Sequence, residues 1–531
     1  MLEEKLLLVI GLLFVVSMLS LLSEKVRVPY PIFLVLAGLC ISFIPNVPHI
    51  TLEPDWVFII FLPPLLYAAA WNTSWKEFFL FRRPISMLAF GLVIFTSAAV
   101  AIVSHYMIPG FSLAMGFLLG GIISPPDAVA ATSVLQNFKM PRRITTILEG
   151  ESLINDASSL IVFRFALAAI STGQFVLWEA GLDFVVVAGL GIIIGLAVAH
   201  IAYVVHRFLP TTPSVDTAIT LVTPYLMYIL AERFHASGVL AVVSGGLFLT
   251  FRSNDIFSYN SRIQTQSVWN TVVFLLNGVV FILIGLQLPD IIKGMENYEL
   301  SQAIVYSIVI SVLTIAIRII WVFPGAYLPR ILSKRIRKKE ERPKPNTVFI
   351  VAWSGMRGVV SLASALSIPL FLSNGGVFPH RNLILFITFV VILFTLVLQG
   401  LSLPLIIKWL KITPDDVVHE HEMEQGIRLR LAAAVVDFMT TEYGAEVEKH
   451  EVFKRVKERY ERMVEYADQR LAKKDDDTAK SILPKYRNML LSLVDVRRNV
   501  LDKMRHEATF PDELIRKKEA ELDLEEARLR K

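Results

Sequence analysis

Long apolar runs recur through residues 1–410 of this chain, and they restrict its fold more tightly than any other feature. A helix of roughly 17–25 apolar residues matches the hydrocarbon thickness of a bilayer. Within lipid only a helix or a closed barrel satisfies its own backbone polar groups. The runs fall near residues 6–22, 30–45, 55–71, 85–107, 110–135, 147–171, 178–204, 215–231, 236–251, 268–289, 301–327, 346–371 and 381–408, about thirteen in all. Hydrophobic residues make up 54% of the 531, and mean hydropathy is +0.57, so the fold class is an all-α polytopic membrane protein.

In a soluble chain a formal charge of +5 would point to nucleic acid. Here the basic residues gather in alternate loops: Lys25 and Arg27; Lys76, Arg82 and Arg83; Lys139, Arg142 and Arg143; Arg207; Arg252 and Arg262; and a dense block from Arg330 to Lys344. The intervening loops are poor in them, with Arg233, Lys293 and Arg381 as exceptions. This asymmetry predicts an outside N-terminus and a cytoplasmic C-terminus in the plasma or inner membrane, with the lipid bilayer and not nucleic acid as surroundings. The N-terminus is acidic, so residues 6–22 read as a retained span and not a cleaved signal. The single cysteine, Cys40, can form no intrachain disulfide and is expected to be buried and inert. Trp71, Trp75, Trp269 and Trp321 lie near span ends and are expected to anchor at the interface.

From residue 412 onward composition shifts to nearly balanced Glu, Asp, Lys and Arg, and no later run could span a membrane. Two domains are therefore expected: a transmembrane domain over 1–411 and a cytoplasmic charged helical tail over 412–531. Val447–Leu471 and Leu514–Arg530 carry helical spacing.

Two spans are interrupted. The fifth holds Ser124-Pro125-Pro126-Asp127-Ala128, where adjacent prolines remove two backbone donors and disfavour helix at the residue before each. The twelfth holds Trp353-Ser354-Gly355-Met356-Arg357-Gly358. Irregular backbone at membrane depth is tolerated only where protein or a cavity surrounds it. Interruptions at corresponding places in two halves point to an inverted-repeat transporter, spans one to six repeated by eight to thirteen, with its site between the breaks.

The sixth span opens with Gly150-Glu151-Ser152-Leu153-Ile154-Asn155-Asp156. An ionisable group at membrane depth costs about 2.5–3.5 kcal/mol even on lenient scales, and so marks function by default. On a helix Ser152 and Asp156 are i,i+4 neighbours, with Ser159 one turn on. That face offers oxygen alone, which suits hard cations and protons.

Taken together, Ser124-Pro125-Pro126-Asp127-Ala128-Val129-Ala130, Leu148-Glu149-Gly150-Glu151-Ser152-Leu153-Ile154-Asn155-Asp156-Ala157 and Gly355-Met356-Arg357-Gly358 resemble the sodium/proton exchanger family of monovalent cation:proton antiporters. Phe61-Leu62-Pro63-Pro64-Leu65-Leu66, Ser237-Gly238-Val239-Leu240-Ala241 and Gly285-Leu286-Gln287-Leu288 add weaker matches, and the resemblance covers residues 1–410. It implies thirteen helices, with helices five and twelve crossed and unwound in a core domain (spans near 85–171 and 301–408). The remaining helices would form a dimerisation scaffold and the protein a homodimer. It also implies cation and proton binding by Asp156, Asn155, Asp127, Ser152 and the Pro126 carbonyl, with Asp156, Asp127 and Ser152 holding the monovalent cation. Glu151 and Arg357 would form a buried ion pair. Pro126 stands where relatives often have threonine, and Tyr67-Ala68-Ala69-Ala70 stands where many carry a carboxylate.

The expected activity is antiport of Na+, or Li+ or K+, against H+, for sodium extrusion and pH homeostasis, without a cofactor and without enzymatic chemistry. A carboxylate at Asp156 can hold a proton or a cation but not both, and if it alone changes charge the exchange is electroneutral. Asp127 doubles as a cap for a half-helix beginning after the prolines. Ser159, Arg164 and Arg318 are accessory candidates, the two arginines expected in structural pairs. An exchanger selective for K+ is the nearest alternative, a cation channel a further one. An intramembrane aspartyl protease using Asp127 and Asp156 as its dyad is more distant, because the sequence settings of such dyads are absent.

Overall fold

The computed structural model describes residues 2–26, 28–44, 59–136, 138, 140–172, 177–295, 298–339, 342–372, 375–410, 415–472, 477–506 and 512–530. Arg27, Lys139 and the boundary at 411–412 lie outside the described residues. Among those described the secondary structure is helical, apart from a lone bridge between Phe371 and Val377. Contacts divide the chain into two units, Met1–Pro414 and Asp415–Lys531.

In the first unit the helices are α1 (Leu2–Val26), α2 (Tyr30–Ser42), α3 (Leu62–Asn72), α4 (Arg82–Met107), α5a (Leu113–Ile123) and α5b (Ala128–Leu135), and α6 (Arg142–Thr172). They continue with α7 (Leu177–Phe208), α8 (Pro213–Arg233), α9 (Gly238–Ile256), α10 (Tyr259–Leu286), α11 (Leu300–Leu332), α12a (Pro345–Trp353) and α12b (Val359–Leu366), and α13 (Arg381–Trp409). By length and composition nine of the described helical spans can cross a bilayer, against the thirteen runs expected. The difference has physical causes. The α12 run is cut into halves each too short alone, α2 and α3 are short, and α9 ends in Arg252, Ser253, Asn254 and Asp255.

Local chemistry sets many of the helix starts. Ser112 accepts from the Met115 N–H at 3.2 Å, Ser237 from Leu240 at 3.2 Å and Ser258 from Ser261 at 3.1 Å, each satisfying a donor the helix leaves open. The turn between α8 and α9 closes through His235 at φ 55°. Gly116 and Gly120, one turn apart on α5a, let that helix lie directly against Ala101 and Ser97 of α4.

The buried apolar side chains form two clusters. The larger draws on α4, α5, α6, α11, α12 and α13, with α1, α2 and α10 contributing. The smaller is built by α3, α7, α8 and α9 with Trp269. Helix α6 belongs to both: Ile147, Leu148 and Phe163 face the larger cluster, Leu153 and Ala157 the smaller. Its polar motif therefore lies at the seam between them.

Two expectations are corrected. Trp269 is buried, its ring 5.3 Å from that of Tyr67 and its Nε1 donating to Thr220 Oγ1 at 3.1 Å, so it is a core residue of the smaller cluster. Cys40 is exposed, on the outward face of the short helix α2.

Nearly all described residues of the second unit are helical: α14 (Asp415–Glu442), a short helix Gly444–Lys449, α15 (Glu451–Ala472), α16 (Asp477–His506) and α17 (Asp512–Arg530). α14 packs on α15, with Tyr443 stacked on Phe453, and α16 packs on α17 over Val494, Ile515 and Leu522. Arg498 pairs with Asp523 at 2.6 Å and Glu526 at 2.8 Å.

Candidate functional site

A broken helix exposes four carbonyls at one end of the gap and four amides at the other. At membrane depth no water is freely available to satisfy them. The chain answers with charged side chains. Asp127 Oδ1 accepts from the Val129 N–H at 2.8 Å and so caps α5b. Its own N–H donates to the Met356 carbonyl at 2.7 Å, which ties the two breaks together. Arg357 serves the opposite end, donating from Nε to the Ile123 carbonyl, the last of α5a, at 2.9 Å, and from Nη1 to Gly355 O. Arg318 donates from Nη2 to the Val351 carbonyl near the end of α12a at 3.2 Å. Arg381 donates to Ile368 O at 2.8 Å, just past the end of α12b. Three half-helices thus end against a guanidinium, the charge their negative dipole ends favour.

This accounts for the Gly355-Met356-Arg357-Gly358 stretch residue by residue. A Cβ on Gly358 would run into the Asp127 carboxylate, and one on Gly355 would lie 2.7 Å from Arg318 Nε and 3.0 Å from Arg357 Nη1. Met356 supplies a carbonyl, and Arg357 the cap. Asp127 consequently sits at the N-terminal ends of α5b and α12b together.

Helix α6 passes beside this junction. Asn155 is buried, and its Nδ2 donates to the Pro126 carbonyl at 3.3 Å while its Oδ1 has no partner among the described residues. Ser152 Oγ accepts from the Ala128 N–H at 3.3 Å. Asp156 is 7% exposed and close enough to Asp127 for the two charges to repel. Its carboxylate makes no hydrogen bond or ion pair with any described residue. Ser159 is turned back onto its own helix, donating to the Asp156 carbonyl at 3.0 Å, and offers its hydroxyl less directly than expected. Ser158 donates to Ala89 O at 2.5 Å, within the π-helical turn Met87–Leu92 of α4.

The expected Glu151–Arg357 ion pair is not formed. Glu151 pairs instead with Arg318, Oε1 to Nη1 at 2.5 Å and Oε2 to Nη2 at 2.8 Å, with both side chains buried. The reason is geometric. The planar fork of Arg318 enters from α11 and matches both carboxylate oxygens at once, while the Arg357 guanidinium is directed to the Ile123 and Gly355 carbonyls, one at each break. The sequence signal for Arg318 was an arginine in the middle of an apolar run. Arg164 forms the structural pair expected of it, both oxygens of Glu232 lying at 2.8 Å, and Glu232 also accepts from the Gly238 N–H.

Two groups at the junction carry no sequence signal of their own. Thr395 Oγ1 accepts from the Arg357 N–H at 3.2 Å. The Tyr30 hydroxyl lies beside Asn277 and within electrostatic reach of Asp127.

The site therefore offers one neutralised ion pair, one capping carboxylate, one unpaired carboxylate and several neutral oxygens. No cluster of three or more His, Cys, Asp or Glu side chains occurs among the described residues. Such a set fits a monovalent cation or a proton.

Comparison with known proteins covers the part of the chain that holds this site. A family model described as "Sodium/hydrogen exchanger, transmembrane" matches residues 10–409. A protein of Mycobacterium tuberculosis (strain ATCC 25618 / H37Rv) named an uncharacterized Na(+)/H(+) exchanger is 32% identical over 541 residues, covering 98% of this chain and 97% of its own. The sodium, potassium, lithium and rubidium/H(+) antiporter of Bacillus pumilus is 35% identical over 388 residues, covering 71% of this chain and 58% of its own. Among solved structures, the sodium proton antiporter MjNhaP1 of Methanocaldococcus jannaschii aligns with a TM-score of 0.59 at 20% identity, over 77% of this chain and 100% of that one, which shows a common fold.

Proposed function

The chain belongs to the sodium/hydrogen exchanger family of cation/proton antiporters, and on that premise we propose that Asp156 is the group that carries proton and cation in turn. The observation behind this is the contrast within one helix. Glu151 is neutralised by Arg318, whereas Asp156, one turn and a half further on, is buried with no counter-charge among the described residues. A buried unpaired carboxylate is costly until something positive occupies it. Asp127 flanks the cation, Ser152 and the free Oδ1 of Asn155 supply neutral oxygens, and the Pro126 carbonyl positions Asn155. Arg357 and Arg318 hold the breaks in shape.

The transport cycle follows from exclusive occupancy. A proton neutralises Asp156 on one side of the membrane and a monovalent cation does so on the other. The seam between the two apolar clusters is where the larger could shift against the smaller to alternate access. One charge replaces one charge, which makes the exchange electroneutral. Na+ is the favoured cation, for sodium extrusion and pH homeostasis, in a homodimer of the plasma or inner membrane with the N-terminus outside and the tail in the cytoplasm. K+ and Li+ are the alternatives, and the breadth in the name of the Bacillus pumilus relative supports keeping them open. An aspartyl dyad gains no support, since Asp127 is engaged as a helix cap.

The deciding measurement is proton flux in proteoliposomes of the full chain, with Na+, Li+ and K+ added in turn. Flux evoked by Na+ supports the reading, flux evoked by K+ alone changes the cation, and none from any of them refutes it.

A further inference from the structure

A separate cleft opens between the start of α4, the start of α6, the last third of α11 and α12a. Arg83 and Arg143 line it one residue inside the first residues of α4 and α6, beside Pro343. Apart from Thr347 the remaining wall is apolar, with Met87, Ile147, Trp321 and Val351 lying a turn or more deeper along their helices. Its lining contains no Asp or Glu among the described residues. Arg83 and Arg143 lie at span ends rich in basic residues, next to Arg82 and Arg142, and α11 runs on into the basic block from Arg330.

We propose that this cleft is a binding site for an anionic phospholipid of the surrounding leaflet, its phosphate at Arg83 and Arg143 and an acyl chain along Met87, Ile147 and Trp321. The charge order of the cleft carries the inference: two cations at the headgroup level and apolar wall below match an amphiphile lying in the membrane plane. A soluble phosphate would use the arginines and leave the apolar wall idle. A zwitterionic lipid would bring a second cation against them. The arginines can keep their other interactions, since a guanidinium presents five donors.

The cleft also borders the helices that hold the ion site. Val351, in its wall, gives its carbonyl to Arg318, and Ile147 lies one turn before Glu151 on α6. Trp321 is fixed by its Nε1 donating to Met87 O at 3.1 Å. A lipid seated here touches α4, α6, α11 and α12a together and braces them. The inference is independent of which cation is exchanged.

The test uses the full chain purified in detergent and stripped of lipid. Phosphatidylglycerol, phosphatidylcholine and inorganic phosphate are added separately, and melting temperature and retained lipid by native mass spectrometry are measured. Phosphatidylglycerol is expected to be retained and to raise the melting temperature by about 3 °C or more, and the other two to have little effect. The double change Arg83→Gln/Arg143→Gln should remove most of that rise. Gly325→Leu keeps both arginines and grows into the cleft past Met87, whose Cε lies 3.6 Å from a Cβ built there; it should remove the rise as well, and it carries the test if the double variant fails to fold. An equal rise with phosphatidylcholine, the same rise with inorganic phosphate, or a rise undiminished in Gly325→Leu each overturns the proposal.

Discussion

Glu151 and Arg318 are joined by two parallel hydrogen bonds, at 2.5 and 2.8 Å, with side chains 1% and 0% exposed. The pair links α6 to α11, and Arg318 extends it to α12a through Val351. Removing one partner of a buried pair leaves the other charge stranded, at a cost of about 3–5 kcal/mol. Glu151→Gln and Arg318→Ala should each lower melting temperature and yield well beyond Asp156→Asn. In a double-mutant cycle Glu151 should couple strongly to Arg318 and less to Arg357. Additive losses for Glu151 and Arg318, measured by thermal melts of purified variants, would show that the pair does not act as a unit.

Asp156→Asn should abolish cation-dependent proton flux while leaving the folded protein in the membrane. The substitution removes a charge that no described residue neutralises, so it costs little structure. Flux in proteoliposomes and a melting curve of the same preparation check both halves. Exchange at the wild-type rate would end the assignment of Asp156.

Competition at one carboxylate fixes the sign of the pH dependence. Protons displace cations as pH falls, so the half-saturating cation concentration should rise at low pH, by up to tenfold per pH unit once the proton form dominates. The maximal rate at saturating cation should change much less. A half-saturation value that stays constant as pH is lowered from 9 to 6 contradicts simple competition.

The glycines of the twelfth span give a steric prediction. Gly358→Ala places a methyl group where the Asp127 carboxylate lies, and the clash forces a shift costing about 1–3 kcal/mol. Because the shift falls on a residue of the site, exchange should drop about tenfold or more in protein that still inserts. Gly325→Ala on α11, where a Cβ meets only an ordinary contact, is the control. Equal activity in both variants would remove the special role of Gly358.

The tail, Asp415–Lys531, forms a unit of its own and holds none of the residues at the junction. Deleting it after Pro414 should shift the pH range or the assembly while retaining cation-dependent proton flux. A folded, membrane-inserted truncation with no flux at any pH would place the tail in the transport step.

Much of this architecture could be read from residues alone, and for physical reasons. The Pro125-Pro126 pair and the Gly355/Gly358 pair announce backbone that cannot continue as helix, and the charges beside them announce what fills the gaps. Asp127 was legible as a cap because its position, just after the prolines, is the start of a new helix. The partner of Glu151 was not. Both Arg318 and Arg357 are lone arginines in apolar spans, and which one reaches Glu151 depends on how α11 crosses α6, a tertiary fact without a local signal. Arg381, an exception to the loop charge pattern, is explained by its bond to Ile368 O. The orientation of Ser159 depends equally on context, since a hydroxyl on a helix can always fold back to a carbonyl of the preceding turn.

The caps on the broken helices also govern what the carrier must not do. Arg357, Arg318 and Asp127 are bonded to groups on α5, α6 and α12, so on the proposed cycle these charges keep partners on the same helices when the site changes sides. Asp156 is the exception. On the proposed cycle, Asp156 with neither proton nor cation aboard is a buried negative charge that no described residue neutralises, and moving it in that state is costly. A carrier built on this plan stalls when empty. If Asp156 carries proton and cation as proposed, slippage, the idle return that would run down the gradient with nothing gained, is suppressed because no described residue supplies the counter-charge.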